Sequence, residues 1–286
     1  LNPGLLGTLS QFQENYIRGI DRGDSELALR LKRRLSPFIM RRLKSEVAKD
    51  LPPRTDIVRY CELDEREREA YQTYLLACQN EVVAQLGAEH SVLEMLEILL
   101  RLRQICCHLG LLPNQNAVSS SKLDLIMLEL TNALAGGSKV LIFSQWTSFL
   151  DIIGEKLASE SLAFLRIDGS TTNRQEIVER FQQDPEPKIL LLSLKAAGVG
   201  LNLTAADHVF IVDPWWNPAV EEQAADRAHR IGQDKPVFVR RFVAKDTVEE
   251  RILLLQEHKR QLKDSLVAGA SGGASLTRDD LLSLFA

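Results

Sequence analysis

Residues 188–213 read KILLLSLKAAGVGLNLTAADHVFIVD, two short apolar runs on either side of a glycine-bearing stretch. Lys188–Leu194 (KILLLSL) and Asp207–Asp213 (DHVFIVD) are apolar with little alternation, the pattern of strands buried on both faces of a parallel sheet. Between them, Gly198 and Gly200 permit close backbone approach to a ligand. Ser193 and Lys195 stand beside them as donors for phosphate oxygens. Two glycines after a strand are weak evidence alone, because many ordinary turns look the same.

The second run leads into Asp213-Pro214-Trp215 and then Trp216–Gln233, WNPAVEEQAADRAHRIGQ. Read as a helix over 217–230, this stretch brings Gln223, Arg227 and Arg230 within roughly 60° of one another, so three polar heads share one stripe. Guanidinium groups make forked, permanently charged hydrogen bonds to phosphate, the chemistry of an arginine finger. A solvated helix face with ion pairs from Glu221, Glu222 and Asp226 fits the same spacing equally well.

Working outward, the chain beyond Lys122 alternates helix and strand. The pattern predicts helix 122–135, strand 139–144, helix 147–159, strand 163–167, helix 173–183, strands 188–193 and 207–213, helix 217–230, strand 236–243 and helix 247–266. Strands joined by crossover helices make an open, doubly wound α/β sheet with helices on both faces and ligands at the carboxyl ends of the strands. Ser144, Asp168, Ser193 and Asp213 fall near such ends, Asp168 as a turn residue rather than a catalyst. Upstream, residues 1–50 read as helical, with Leu27, Leu31 and Leu35 recurring every fourth position. Leu51-Pro52-Pro53-Arg54 breaks that helix, so 51–60 reads as a linker. Residues 61–121 read as a helical insertion ending in the polar, mobile stretch PNQNAVSSS, and 267–286 as a flexible linker with a short amphipathic tail.

The 286 residues carry a formal charge of −4, with 45% hydrophobic and 26% charged residues, an ordinary globular composition. No apolar run reaches the ~18 residues needed to span a bilayer, and no signal peptide opens the chain, so a membrane partner is not expected. Cys61, Cys78, Cys106 and Cys107 lack paired C-x-x-C spacing, which argues for buried thiols and against a metal site despite His108. The net charge does not exclude nucleic acid, because local patches set the phosphate-facing field. Arg30, Lys32, Arg33, Arg34, Arg41, Arg42 and Lys44 form one such cluster, equally readable as a basic solvated face.

Taken together, these stretches resemble the second motor lobe of the SWI/SNF-type DNA translocases, a branch of the superfamily-two helicases. SLKAAGVGLNLTAAD (193–207) is similar to the family's fifth motif and WNPAVEEQAADRAHRIGQ to its sixth. Pro37–Val47 with Asp50–Pro53, Leu102–His108, Lys139–Gln145 and Arg166–Thr171 extend the match along almost the whole chain. Ala197 departs from it, standing where the family usually carries glycine. No G-x-x-x-x-G-K-[ST] phosphate loop and no Asp-Glu-x-His box is present, so the resemblance implies the carboxyl-terminal part of a longer protein, following a first RecA-like lobe.

On this resemblance the fold is a RecA-like lobe over 122–266, preceded by a helical protrusion (1–50), the linker and the insertion. The cofactors are ATP and Mg2+, the metal held by the first lobe. Arg227 and Arg230 are implied at the γ-phosphate, with Gln223, Gly198 and Gly200 in support. Ser193, Lys195, Gln145 and Trp216 are implied on the backbone of double-stranded DNA, whereas Trp215 reads as core. Arg174 stands between an ion pair and a phosphate contact. The implied partners are duplex DNA, the first lobe and proteins docking on the helical insertion. The tail resembles bacterial relatives, implying a cytoplasmic, nucleoid-associated protein; a eukaryotic source would imply the nucleus. The lobe alone is expected to turn over no ATP. Two rival readings are an RNA helicase lobe of the same superfamily and a non-motor partner-docking module.

Overall fold

The structure is a computed structural model that describes residues 5–20, 24–38, 48, 50–84, 91–113, 115, 117–197 and 200–265. The chain divides into two compact units, one built on residues 1–49 and the other on residues 50–260. In the first unit, helical turns Leu9–Phe12 and Arg18–Ile20 flank a π-helical segment, Gln13–Ile17. Helix Ser25–Leu35 follows, and its start is fixed by Asp24, whose carboxylate accepts from the backbone N–H of Glu26 and Leu27 at 3.0 Å each. Glu26 in its first turn and Lys32, Arg33 and Arg34 in its last oppose the helix dipole at both ends. Arg41, Arg42 and Lys44 of the predicted basic cluster lie outside the described residues.

The second unit is a six-stranded sheet in the order β1-β6-β5-β2-β4-β3, every neighbouring pair parallel. Its strands are β1 (Arg54–Cys61), β2 (Val140–Ser144), β3 (Phe164–Ile167), β4 (Ile189–Ser193), β5 (His208–Ile211) and β6 (Val237–Ala244). β2, β4 and β5 are buried at every residue, as their apolar sequences require. Successive side chains divide between two cores. Leu141, Phe143, Leu190, Leu192, Val209 and Ile211 pack with Val178 and Phe181 of helix Arg174–Gln183 and with Ala224 and Ala225 of helix Pro218–Ala225. Val140, Ile142, Ile189, Leu191 and Phe210 pack on the other face with Ile126 and Leu130 of helix Ser121–Ala135 and with Phe149 and Ile153 of helix Thr147–Ser159. This is the predicted RecA-like sheet with helices on both faces.

Two sequence readings are corrected here. Residues 51–60 are not a linker, because Arg54–Cys61 pairs with Val237–Ala244 over eight residues as the edge strand β1. Only Cys61 in it is buried, and a mostly exposed, charged edge strand lacks the apolar run that marks the central ones. The two prolines precede it, where a missing N–H costs the ladder nothing. Second, the helix expected over 217–230 stops at Ala225 and residues 226–230 are turns.

The region read as a helical insertion contains helices Glu65–Ala84 and Ser91–Cys107. Tyr71, Leu99, Leu102, Ile105 and Cys106 pack with Cys61, Ala244, Val248 and Ile252 in a third core beside β1 and β6. The polar stretch before residue 122 is pinned at its end. Ser120 caps helix Ser121–Ala135 by accepting from Leu123 N and donates its hydroxyl to the Cys107 carbonyl at 2.9 Å, while the Ser121 hydroxyl donates to Glu67 at 2.6 Å. Helix Val248–Ser265 closes the described fold. Cys61, Cys106 and Cys107 are buried free thiols, and burial pushes Cys61 up to about 11; Cys78 lies outside the residues whose side chains are described. Among the described residues, no cluster of ligating side chains could hold a metal ion, and no helix is long and apolar enough to cross a membrane.

Candidate functional site

The carboxyl ends of β2, β4 and β5 meet at one edge, where Ser144 and Ser193 lie side by side in register. Asp213, just beyond β5, is completely buried; its carboxyl accepts from the Ser144 hydroxyl and from Gln145 N–H at 3.1 Å. Ser144 Oγ in turn accepts from Trp146 N–H at 3.0 Å, so one carboxyl fixes the loop leaving β2. Burial pushes Asp213 up to about 7, against the pull of the Arg103 guanidinium and the Ser144 hydroxyl.

All three tryptophans of the sequence gather at this edge. Trp215 and Trp216 stack with ring centroids 3.7 Å apart. The Arg103 guanidinium, from helix Ser91–Cys107, lies 5.1 Å from the Trp215 ring centre, 5.2 Å from that of Trp216 and 5.7 Å from that of Trp146. It is 2% exposed and donates to the Pro214 carbonyl at 2.7 Å. Trp216, read from sequence as a DNA contact, is half-buried and part of this stack, as is Trp215, read as core.

The remaining predicted residues separate clearly. Ser193 is 4% exposed and accepts from Ala196 N–H at 3.3 Å, capping the short turn Leu194–Ala197. Lys195 projects from that turn and is exposed. Gly198 lies outside the described residues; Gly200 is exposed, and a Cβ built there would meet nothing within 4 Å. Asp168 is the turn residue expected, accepting from Ser170 N–H at 2.9 Å and from its hydroxyl at 2.6 Å, and the Ser170 hydroxyl chiefly holds it below the usual carboxylate range. Arg174 donates to the carbonyls of Thr171 and Asp168 at 3.1 and 3.0 Å, a structural role that is not an ion pair.

Helix Pro218–Ala225 begins at Asn217, whose side chain accepts from Ala219 N–H at 3.1 Å, with Pro218 in the first turn. Glu221 anchors it from below: fully buried, it accepts from Arg241 at 2.8 Å, Gln256 at 2.7 Å and Trp215 N–H at 2.8 Å. Nothing in AADRAHR signals a stop, so the end at Ala225 is tertiary. Leu203 N–H takes the Arg227 carbonyl at 3.0 Å, and Gln233 Nε2 takes those of Thr204, Ala206 and Ala228 at 3.0, 2.8 and 3.2 Å. These bonds replace helical ones and override the local propensity.

Gln223, Arg227 and Arg230 therefore do not share a helical stripe. Gln223 is exposed on the last helical turn, while the arginines lie on the turns beyond it. The Arg230 charge nevertheless acts on Arg227. Burial lowers the Arg227 guanidinium from its usual value, the Arg230 charge lowers it further, and Asp226 opposes both. Arg227 is half-buried and Arg230 exposed. Arg227 Nε, Gln145 Nε2 and Trp146 Nε1 are buried donors with no hydrogen-bond partner among the described residues, a state native proteins seldom leave uncompensated.

Arg103 and Gln233, which help hold this edge together, went unassigned in the sequence, and Glu221 was read as an ion-pair partner on a solvated face although it is fully buried. Arg103 had a visible signal. Leu99, Leu102, Arg103 and Cys106 fall at i, i+3, i+4 and i+7, so an arginine occupies a core position of an amphipathic helix. Gln233→Ala is expected to lower stability by about 1–3 kcal/mol by leaving buried carbonyls unpaired. Urea denaturation followed by circular dichroism checks this; an unchanged midpoint would show that the staple is dispensable.

Comparison with known proteins supplies names for these elements. A model of the helicase conserved C-terminal domain matches residues 121–232, and one of the SNF2-related domain matches residues 1–111. The chain is 38% identical, over 99% of its length, to an uncharacterized ATP-dependent helicase of Mycoplasma genitalium, and 34% identical, over its full length, to the putative ATP-dependent helicase/translocase YwqA of Bacillus subtilis. It spans 27% of the first relative and 32% of the second. Among solved structures it is similar to the SWI2/SNF2 ATPase core of Sulfolobus solfataricus in complex with dsDNA, at 33% identity and a TM-score of 0.66, covering 93% of this chain and 57% of that one. The isolated C-terminal domain of the Sulfolobus ATPase is similar at 28% identity and a TM-score of 0.64, covering 80% of this chain and 93% of that one.

Proposed function

Because the chain belongs to the SNF2-related helicase family, we propose that it is the second motor half of an ATP-driven double-stranded DNA translocase. The observation that supports this reading is the buried Arg227 Nε, which has no hydrogen-bond partner among the described residues, in the turns after helix Pro218–Ala225 where the Arg230 charge also acts on it. Two neighbouring guanidinium groups repel one another and are stabilised by a polyanion between or before them. The residues fit a triphosphate on this count, and ATP with Mg2+ would be held by a first RecA-like lobe. Bound there, the nucleotide supplies the phosphoryl group whose hydrolysis drives movement. Arg227 and Arg230 would face its γ-phosphate when the lobes close, with Gln223, Gly198 and Gly200 around them. Closure excludes water and strengthens these charge contacts, which gives turnover its dependence on lobe approach. The chain by itself is expected to be inert toward ATP.

In the same reading, Lys195 and Gln145 grip the DNA backbone, with Trp216 alongside. Ser193 acts through the turn it caps beneath Lys195. Contacts of this kind hold phosphates without reading sequence. Fluorescence anisotropy with labelled duplexes across a salt series tests the proposal. Affinity is expected to be weak, independent of sequence, and to fall linearly on a log–log plot with a slope of about −0.9 per neutralised phosphate. Lys195→Ala should weaken binding and make the slope shallower by about one phosphate. Salt-insensitive binding, or a clear preference for RNA of the same length, would overturn the DNA assignment.

A further inference from the structure

The tryptophan stack around Arg103 joins three parts of the fold that are far apart in sequence. Trp146 leaves β2, Trp215 and Trp216 leave β5, and Arg103 comes from a helix outside the sheet. Both loops are also held at their backbone by hydrogen bonds with other elements. Gln145 N–H is held by Asp213, and Trp215 N–H is held by Glu221, with Gln256 on the Trp215 carbonyl. Asp213, on the segment leaving β5, already joins the bases of the two loops through Ser144 and Gln145, and the guanidinium adds a second tie against the indole rings of both. Its edge donates to the Pro214 carbonyl, three indole rings lie around it, the Asp213 charge acts on it, and its Nε has no hydrogen-bond partner among the described residues. A planar cation can donate in its plane while stacking its face on aromatic rings; an ammonium keeps the charge and the donors but has no flat face to stack.

We propose that Arg103 is a positioning residue for DNA engagement. By seating Trp146 against the Trp215–Trp216 pair, it sets the spacing of Gln145 and Trp216, the two loop residues assigned to the DNA backbone. Helix Ser91–Cys107 is thereby part of the grip without touching DNA. This inference rests on the translocase reading above, and it adds a residue that none of the sequence motifs assigned a role.

The test uses the 286-residue chain with Arg103→Lys and Trp215→Phe, read by near-ultraviolet circular dichroism and by duplex-DNA affinity over a salt series. Because the chain's three tryptophans all lie around Arg103, the indole signal reports on this cluster alone. Arg103→Lys should collapse that signal and raise the Kd for DNA about 30-fold, the loss expected for one desolvated cation–π contact, with no rescue from the retained charge. The salt slope should stay at the wild-type value, because no phosphate contact is removed. An unchanged Kd with a collapsed indole signal would overturn the proposal and leave the translocase reading standing. A slope shallower by about one phosphate would make Arg103 a phosphate contact and overturn its positioning role. Wild-type chain that bound no duplex would sink the translocase reading itself, and this inference with it. Should Arg103→Lys fail to fold by far-ultraviolet circular dichroism, Trp215→Phe decides, since it halves the stack with Arg103 in place and is expected to weaken DNA binding in the same way; wild-type affinity there would overturn the proposal.

Discussion

Arg230→Ala is expected to lower ATP turnover by about 10³–10⁵-fold in the motor formed by this lobe and an ATP-bearing partner lobe, while nucleotide-free DNA affinity stays near wild type. Arg230 is exposed beside the half-buried Arg227, so the substitution removes a charge without opening the core. Arg230→Lys should recover little, because an ammonium keeps the charge but loses the planar fork that reaches two phosphate oxygens together. Steady-state phosphate release and DNA affinity, measured on the same preparations, check this. Near-wild-type turnover in Arg230→Lys, or a loss of DNA affinity as large as that of Lys195→Ala, would require the finger assignment to be withdrawn.

The second large effect concerns stability. Lys122 and Glu249 form an ion pair with both side chains fully buried, at 2.5 Å, and Glu249 also accepts from Ala244 N–H at 2.8 Å. The Glu249 carboxylate holds the Lys122 ammonium above its usual pKa despite burial. Lys122→Met is expected to cost about 3–5 kcal/mol, because it strands a carboxylate in the interior. Adding Glu249→Gln should restore part of that loss, since an amide oxygen can still accept from Ala244 N–H without a charge to solvate. Urea denaturation of the two variants measures both effects. A single variant as stable as wild type, or a double variant less stable than the single one, would show that the pair is not the anchor its burial implies.

How far the fold could be read from sequence depended on where each strand sits. ILLLS and HVFI are central strands buried on both faces, so their apolarity alone marked them. RTDIVRYC is an edge strand whose exposed positions carry charge, and nothing local separates it from a linker. The end of helix Pro218–Ala225 was hidden for another reason: Leu203, which takes the Arg227 carbonyl, approaches from a distant segment, and Gln233 takes the Ala228 carbonyl only because its side chain is also anchored on Thr204 and Ala206. At the site, Arg227 and Arg230 were flagged by the motif, but the helical stripe invoked for them is absent because the helix ends at Ala225. Ser193 was read only as a phosphate donor, and its capping of the next turn was not foreseen because a strand-end serine can do either. Arg103 carries its role through ring contacts between distant segments, which spacing within one helix can flag but cannot assign.

The parallel pairing of β1 with β6 bears on how the lobe is made. Arg54 finds its register partner only at Val237, so during synthesis the first strand of the sheet leaves the ribosome long before the strand it must join. β2 to β5 can pair among themselves in the meantime, because their contacts close shorter loops. The waiting segment would be an open invitation to intermolecular strand addition were it apolar. Instead it carries Arg54, Asp56 and Arg59, charges that discourage association while the chain is incomplete. In the finished lobe Arg54 pairs with Glu222 and Asp56 with Arg241. Residues that protect the nascent edge thus come to fasten it beside the helix that leads into the arginine turns.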